Sequence, residues 1–347
     1  MWRKWIPLVL LVPALLVAAL LWREWQLVTT EPLALTEART MEVERGDSLH
    51  RVARRLENEG ILANADRVRY WARLSGRGDE IRRGEYRLEP GMTLPELVDK
   101  LERGEVVQYR FTMVEGWTVR RLLEALGEHE AVKTTLGDVD ETELMPLLGY
   151  PEWHAEGWFL PDTYSFPRGT TDRELLSKAH RAMRDTLEET WEARQMGLPL
   201  EEPYEALILA SIIERETGAP HERERVAGVF IRRLQQNMRL QTDPTVIYGL
   251  DPDDFDGRLR YRHLRTDTPY NTYTRHGLPP TPIALPGRES IRAAVNPDDS
   301  EYLYFVSRGD GTHHFSRTLE EHNRAVQKYQ LGQEIELEAP REESNGD

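Results

Sequence analysis

The chain of 347 residues contains no cysteine, and this absence excludes several kinds of site. Without thiols there can be no disulfide framework, no thiolate nucleophile and no zinc site of the cysteine type. Basic residues are also outnumbered, with 45 Lys and Arg against 60 Asp and Glu, and the net charge is −15 at pH 7. Because an acidic surface repels phosphate backbones, we do not expect nucleic acid as a partner.

Several catalytic motifs are missing as well. The segment that begins at His221 starts like H-E-x-x-H, but Arg225 replaces the second histidine, so no zinc-protease site forms. There is no G-x-S-x-G elbow and no G-x-x-x-x-G-K-[ST] loop. His313 and His314 are adjacent in a predicted strand and therefore point to opposite faces, which favours a cleft-lining or solvent role over a metal site.

An uncharged run of 18 residues, 5–22, follows a short basic N-terminus. As a helix the run measures about 27 Å, enough for the hydrocarbon core of a thin bilayer. Tryptophans at both ends suit the membrane interface, and Arg3 and Lys4 favour a cytoplasmic N-terminus. A cleaved signal peptide is the alternative, but its cleavage site is absent. We predict an uncleaved anchor over residues 1–25, followed by a linker over residues 26–40.

A strand-turn-helix pattern occurs three times, over residues 43–56, 88–101 and 114–126. Each copy has an apolar residue, a glycine turn, a serine or threonine, and then apolar residues at helical spacing. This order predicts a strand, a turn, an N-cap and an amphipathic helix. In the second copy, Thr93 and Glu96 have the spacing of a capping box.

The first copy contains Gly-Asp-Ser-Leu at residues 46–49 and resembles the start of a LysM module. That module is a small βααβ unit that binds polymers of N-acetylglucosamine. A generic small α/β scaffold is the alternative. We assign residues 41–107 to a LysM-like subdomain.

The rest of the chain predicts an α+β fold, with a mixed catalytic domain over residues 108–332. Residues 150–165 are rich in aromatics and proline and predict a packed loop. An acidic tail over residues 333–347 is predicted to be disordered. The periodic segments predict helices at 172–193, 204–217, 221–236 and 318–329, and a β-hairpin at 302–307 and 312–316.

The segment 205–213 is apolar around the whole helix and is therefore predicted to be buried, yet two glutamates follow it. The negative end of the helix dipole and partial desolvation both raise the pKa of a carboxylate there. A raised pKa is what a general acid needs at neutral pH. Glu214 and Glu216 are about 200° apart on the helix. One can thus be catalytic while the other pairs with Arg215 or Arg223; solvated helix-end charges are the alternative.

Two further stretches, 240–249 and 270–287, read as long irregular loops, which are uncommon unless they are functional. Their aromatic, amide and hydroxyl groups suit a saccharide, although a proline-stiffened structural loop is an open alternative. The candidate substrate-binding residues in these stretches and in the hairpin are Gln241, Thr242, Asp243, Tyr270, Asn271, Thr272, Tyr273 and His314.

Five of these motifs, in this order, closely resemble those of the membrane-bound endolytic murein transglycosylases, the YceG-like or MltG family. The resemblance covers nearly the whole chain. The motifs are E-G-W-F-L-P-D-T at 156–163, A-S-I-I-E-R-E-T at 210–217, L-Q-T-D-P-T-V-I-Y-G at 240–249, Y-N-T-Y at 270–273 with G-L-P-P at 277–280, and Y-L-Y-F-V at 302–306.

The resemblance implies cleavage of the β-1,4 bond between N-acetylmuramic acid and N-acetylglucosamine without water, leaving a 1,6-anhydro end. It places the catalytic acid and base on Glu216, with Glu214 as the fallback. It also implies action within strands outside the cytoplasmic membrane, proximity to peptidoglycan synthases, and neither metal nor cofactor.

Two other functions are compatible with the residues. One is a non-catalytic glycan-binding scaffold, in which both glutamates are structural. The other is a hydrolase, in which a carboxylate such as Asp243 activates water.

Overall fold

A computed structural model describes residues 6–137, 139–250 and 255–331. Within these residues the protein is α+β, as predicted. The helices are α1 Ile6–Thr30, α2 Leu49–Asn58, α3 Ala65–Ser75, α4 Leu94–Arg103, α5 Val119–Gly127, α6 Glu141–Leu148, α7 Asp172–Glu192, α8 Pro203–Glu216, α9 Arg223–Gln235, α10 Asp243–Tyr248, α11 Tyr261–Arg265, α12 Arg288–Val295 and α13 Leu319–Tyr329. The strands are β1 Arg39–Val43, β2 Gly84–Leu88, β3 Gln108–Thr112, β4 Thr163–Pro167, β5 Tyr304–Ser307 and β6 His313–Ser316.

The chain divides into two compact units. Unit 1 comprises residues 1–110 and 165–170, and unit 2 comprises residues 111–164 and 171–347. The return of residues 165–170 to unit 1 was not predicted, because nothing in their composition separates them from the segments on either side.

Unit 1 contains the order β1, α2, α3, β2, with β1 antiparallel to β2. All three predicted strand-turn-helix copies are present, as β1 with α2, β2 with α4, and β3 with α5. Ser48 and Thr118 accept a hydrogen bond from the first turn of α2 and α5. The Thr93 N–H donates to Glu96 at 2.8 Å, which confirms the capping box of α4.

The first helix, α1, ends at Thr30, so the linker predicted to begin at residue 26 is wrong at its start. The reason is packing: Trp25 and Val28 lie against the apolar core of unit 1, which extends the helix beyond the uncharged run. Residues 1–5 of the predicted anchor and the predicted acidic tail at 333–347 lie outside the described residues. Within the described residues, no helix combines the length and the apolar character that a membrane span needs.

The centre of unit 2 is α8, whose residues 206–213 are all buried, as its apolar circumference predicted. Helices α7, α9, α10 and α12 pack around it. The loop before β4 reaches α8 through Gly157, which has a φ of +85°. A Cβ at this position would lie 2.6 Å from the Pro282 side chain, so only glycine allows the approach. The predicted hairpin forms as β5 and β6.

A buried carboxylate fixes the start of α7. Asp172 accepts hydrogen bonds from the Thr135 N–H at 2.9 Å and the Leu136 N–H at 3.0 Å. Burial alone would raise the pKa of Asp172, but these bonds and the one from the Thr135 hydroxyl outweigh it, and the pKa is lowered. The charged form of Asp172 therefore stabilises the fold.

We expect Asp172→Ala to lower the free energy of unfolding by about 1–3 kcal/mol, because it leaves the partly buried N–H donors of Thr135 and Leu136 unpaired. The pKa of Asp172 is lower in the folded than in the unfolded chain. Its contribution should therefore be complete above the unfolded pKa and disappear as the pH falls through the folded one. Urea unfolding at neutral and acidic pH measures both effects. Glu188→Ala, at an exposed position of the same helix, is the matched control and should change little.

Candidate active site

The two glutamates at the end of α8 have different surroundings. The Glu214 side chain is only 6% exposed, and Arg223 Nη2 lies 3.5 Å from its Oε1. The Gly287 N–H donates to the other carboxylate oxygen at 2.9 Å. Pairing with Arg223 is one of the two arrangements that the sequence allowed. Glu214 thus holds the segment before α12 against the end of α8.

Glu216 is the last residue of α8, is half-buried, and lies on the wall of a cavity of about 490 Å³. The Thr242 hydroxyl donates a hydrogen bond to its Oε1. Burial raises the pKa of Glu216 to about 7, and nearby Asp243 adds to the rise, whereas the Thr242 bond and the Arg233 charge oppose it. At neutral pH this carboxyl is therefore divided between its acid and base forms, as general acid–base chemistry requires.

The Thr242 hydroxyl is positioned by a small network of buried groups. The Thr242 N–H donates to Thr272 Oγ1 at 3.0 Å, and the Thr245 hydroxyl lies 2.9 Å from the same oxygen. Before it, Gln241 has a φ of +51°, a left-handed conformation that is uncommon for a residue with a Cβ. The Gln241 N–H donates to the Thr272 carbonyl at 3.2 Å. The network holds the chain so that Thr242 faces Glu216 and Gln241 lines the cavity.

Asp243 and Tyr273 lie on the cavity wall, and the Tyr273 hydroxyl donates to Asp243 Oδ1 at 2.6 Å. Arg233 also lines the cavity, although its guanidinium is committed to backbone. It donates to the Leu303 and Leu240 carbonyls, both at 2.7 Å. The wall thus offers the Tyr273 phenol, the Asp243 carboxylate and the Glu216 carboxyl, whose pKa is about 7.

Five predicted substrate-binding residues do not line this cavity, and one of them is Thr242, whose hydroxyl contacts Glu216. Asn271 is buried and donates to backbone carbonyls, of which the Thr266 carbonyl is the nearest at 2.7 Å. The Tyr270 hydroxyl lies 2.9 Å from Thr281 Oγ1, and Thr272 supports Thr242 as described. The ring of His314 packs on Tyr329, with 5.6 Å between ring centroids. The polar groups of Tyr270, Asn271 and Thr272 thus bond within the protein, and His314 contributes a ring contact.

The stretch 240–249 was interpreted as an irregular loop, but Asp243–Tyr248 forms the short helix α10. Pro244 lies in its first turn, where the missing N–H has no consequence. The proline content that suggested a loop therefore marks the start of a helix.

Two histidines on the cavity wall were not assigned to it from the sequence. His313 Nδ1 lies 2.8 Å from Glu222 Oε2, and the His313 N–H donates to Glu222 Oε1 at 3.0 Å. His322 stacks on Tyr304 at 5.3 Å between ring centroids, and burial lowers its pKa. Alternation along β6 indicated that His313 and His314 differ in direction, but it could not indicate which one faces the cavity.

Comparison with known proteins identifies the class to which this fold and site belong. The sequence model described as the YceG-like family matches residues 41–328, and the protein belongs to this family. A solved structure described as a YceG-like protein, from Listeria monocytogenes, is 31% identical, with a TM-score of 0.51 over 83% of this chain and 99% of that one.

Two similar proteins carry the name endolytic murein transglycosylase. The one from Bacillus subtilis strain 168 is 31% identical over 301 residues, 82% of this chain and 82% of that protein. The one from Streptococcus pneumoniae strain D39 is 25% identical over 329 residues, 84% of this chain and 58% of that protein.

We expect Thr242→Val and Asp243→Asn to move the pKa of Glu216 in opposite directions. The first removes a hydrogen bond to the charged form and should raise the pKa, whereas the second removes a nearby negative charge and should lower it. Carboxyl carbon NMR of the selectively labelled protein measures both shifts. Thr242→Ser retains the hydroxyl and should titrate like the wild type. Shifts of the same sign in the first two variants would contradict the assigned environment.

Proposed function

We propose that this protein is an endolytic peptidoglycan lytic transglycosylase. The observation that carries the proposal is Glu216, a half-buried carboxyl with a pKa of about 7 on the wall of an open cavity. The names of its relatives supply the substrate. The chain would cut the bond between N-acetylmuramic acid and N-acetylglucosamine within a glycan strand.

The reaction uses Glu216 twice. The protonated carboxyl donates its proton to the oxygen of the departing N-acetylglucosamine as the bond to C1 of the muramyl residue breaks. The resulting carboxylate then accepts the proton of the muramyl 6-hydroxyl while that oxygen bonds to C1. The products are a 1,6-anhydro end and a free 4-hydroxyl, and Glu216 is again protonated without consuming water. The Thr242 hydroxyl stabilises the intermediate carboxylate and fixes its orientation.

The lining of the cavity suits a saccharide. Tyr273 and Tyr304 present aromatic rings, while Gln241 and Asp243 present groups that can pair with hydroxyl and acetamido groups. Sugar rings have flat apolar faces that pack on aromatics, and their hydroxyls need polar partners. Glu214 is committed to Arg223 and Gly287, so we assign it a structural role.

A hydrolase is the second candidate, because Asp243 lines the same cavity as Glu216. In an inverting hydrolase it would activate a water molecule on the far side of the sugar ring. The contact from the Tyr273 hydroxyl occupies one Asp243 oxygen and argues for a positioning role instead. The product distinguishes the two, since a hydrolytic end is heavier by one water.

We also propose that residues 1–25 anchor the protein in the inner membrane as a single span, with unit 2 in the periplasm close to peptidoglycan synthases. The support is in the sequence: the uncharged run of residues 5–22 would measure about 27 Å as a helix, and tryptophans lie at both of its ends. The βααβ order at the start of unit 1 supports a LysM-like unit that binds the glycan strand.

We expect Glu216→Gln to reduce cleavage by about 10²–10⁴-fold, because general acid–base catalysis contributes on that order. The test is digestion of purified glycan strands by the full chain in detergent, with products read by mass spectrometry. Wild type should release internal fragments with 1,6-anhydro ends. Hydrated ends would establish the hydrolase. A well-folded wild type that binds strands without cutting them would establish the scaffold.

Glu214→Gln is the matched control for this experiment, since it lies two residues away on the same helix. It should lower thermal stability by weakening the pair with Arg223, while folded protein keeps most of its activity. Loss of activity in folded Glu214→Gln, with Glu216→Gln active, would transfer the catalytic role to Glu214.

The pH dependence should follow the protonation of Glu216. Because the reaction starts from the acid form, kcat should fall as the pH rises above about 7. Asp243→Asn should move this fall to lower pH by lowering the pKa of Glu216. A rate that stays constant through pH 9, with chemistry rate-limiting, would argue against Glu216 as the acid.

A further inference from the structure

A groove lies between α1 and α3 on the outside of unit 1. Its volume is about 840 Å³, and its wall is mostly apolar. Leu21, Trp22 and Trp25 line it on α1, and Tyr70 and Leu74 line it on α3. A mostly apolar groove that is open to solvent is a candidate contact site for an apolar partner.

The third helix has two apolar faces. One carries Val68 and Trp71 and is buried in the core of unit 1. The other carries Tyr70 and Leu74, which are four residues apart and therefore neighbours on the helix surface. They are 69% and 76% exposed. Since the core needs only the first face, the second is available to a partner.

The charge of α3 is opposite to that of the chain as a whole. It contains one aspartate and three arginines, in a chain of net charge −15. Arg67 forms an ion pair with Glu24 of α1 at 2.8 Å. Arg69 and Arg73 are exposed, and no residue in the described part of the chain forms a hydrogen bond or ion pair with them. Two unpaired cations beside exposed apolar side chains are suited to an anionic, amphipathic surface.

The groove continues directly into the apolar run of α1. Along α1 it extends from Ala18 to Val28, about 15 Å of helix. Just beyond the N-terminal end of the groove, Leu15 and Leu16 of the apolar run are 60% and 62% exposed. Towards the C-terminus come tryptophans, which favour the headgroup level of a bilayer. If the run is in lipid, the groove lies where acyl chains meet headgroups.

We propose that the groove and the outer face of α3 are a docking surface for the outer leaflet of the membrane. Tyr70 and Leu74 insert at the boundary between acyl chains and headgroups, and Arg69 and Arg73 contact lipid phosphates. Unit 1 is thereby held against the leaflet by a second contact in addition to the anchor. The proposal rests on the anchor proposed above and adds a separate site to it.

The absence of cysteine makes a direct test possible with the full chain. Single variants Leu74→Cys, Leu16→Cys and Arg45→Cys each carry one fluorophore, in nanodiscs with anionic phosphatidylglycerol. For each variant, quenching of the fluorescence is measured once with brominated lipid and once with aqueous iodide. Arg45 is exposed on the turn before α2 and does not line the groove, so it serves as the aqueous control.

We expect brominated lipid to quench the label at position 74 and iodide to quench the label at position 45. Adding Arg69→Glu and Arg73→Glu to Leu74→Cys should lower the docking equilibrium by about thirtyfold or more. Iodide quenching at 74 equal to that at 45 would overturn the proposal, as would shielding of 74 from both quenchers, which would mean that a protein covers the face. The label at position 16 distinguishes failure of the anchor proposal from failure of the docking proposal. If brominated lipid does not quench its fluorescence, the anchor proposal is itself wrong.

Discussion

The arrangement of unit 2 depends on the removal of water from around α8. Residues 206–213 of this helix are buried on every side, so the helix must lie in the middle of the unit and its C-terminal end must emerge beside other segments. A glutamate in that last turn loses solvent and faces the negative end of the helix dipole. The raised pKa of Glu216 is thus a consequence of how the core is built.

A carboxyl in this position is useful only if its orientation is fixed, and segments distant in sequence provide this. Thr242 holds Glu216, and Thr272 holds Thr242. Asn271 in turn keeps its loop in shape through backbone carbonyls. The left-handed conformation at Gln241 indicates that the turn is constrained by its neighbours. Polar residues of these motifs divide into those that face the cavity and those that support them.

Sequence reasoning was accurate where a signal is local. The three strand-turn-helix copies, the final hairpin, the N-caps at Ser48 and Thr93, and the burial of α8 follow from periodicity and cap chemistry. It was less accurate where a prediction rested on amino-acid composition and not on the periodicity of the residues. The proline and polar content of 240–249 suggested a loop where α10 forms, and the uncharged run ended before α1 does. At α10 the proline marks the first turn of a helix, whereas at α1 packing against the core of unit 1 extends the helix beyond the uncharged run.

The sequence by itself determined the family, the fold class, and the pair of glutamates at the end of a buried helix, because these depend on residue order within short segments. Only the tertiary structure decided that Glu214 pairs with Arg223 while Glu216 faces the cavity, and that His313 rather than His314 lines it. The spacing of two residues between Glu214 and Glu216 ensures that their side chains point in different directions from the helix. Which of them meets solvent is set by the elements that pack on each side, and those come from distant parts of the chain.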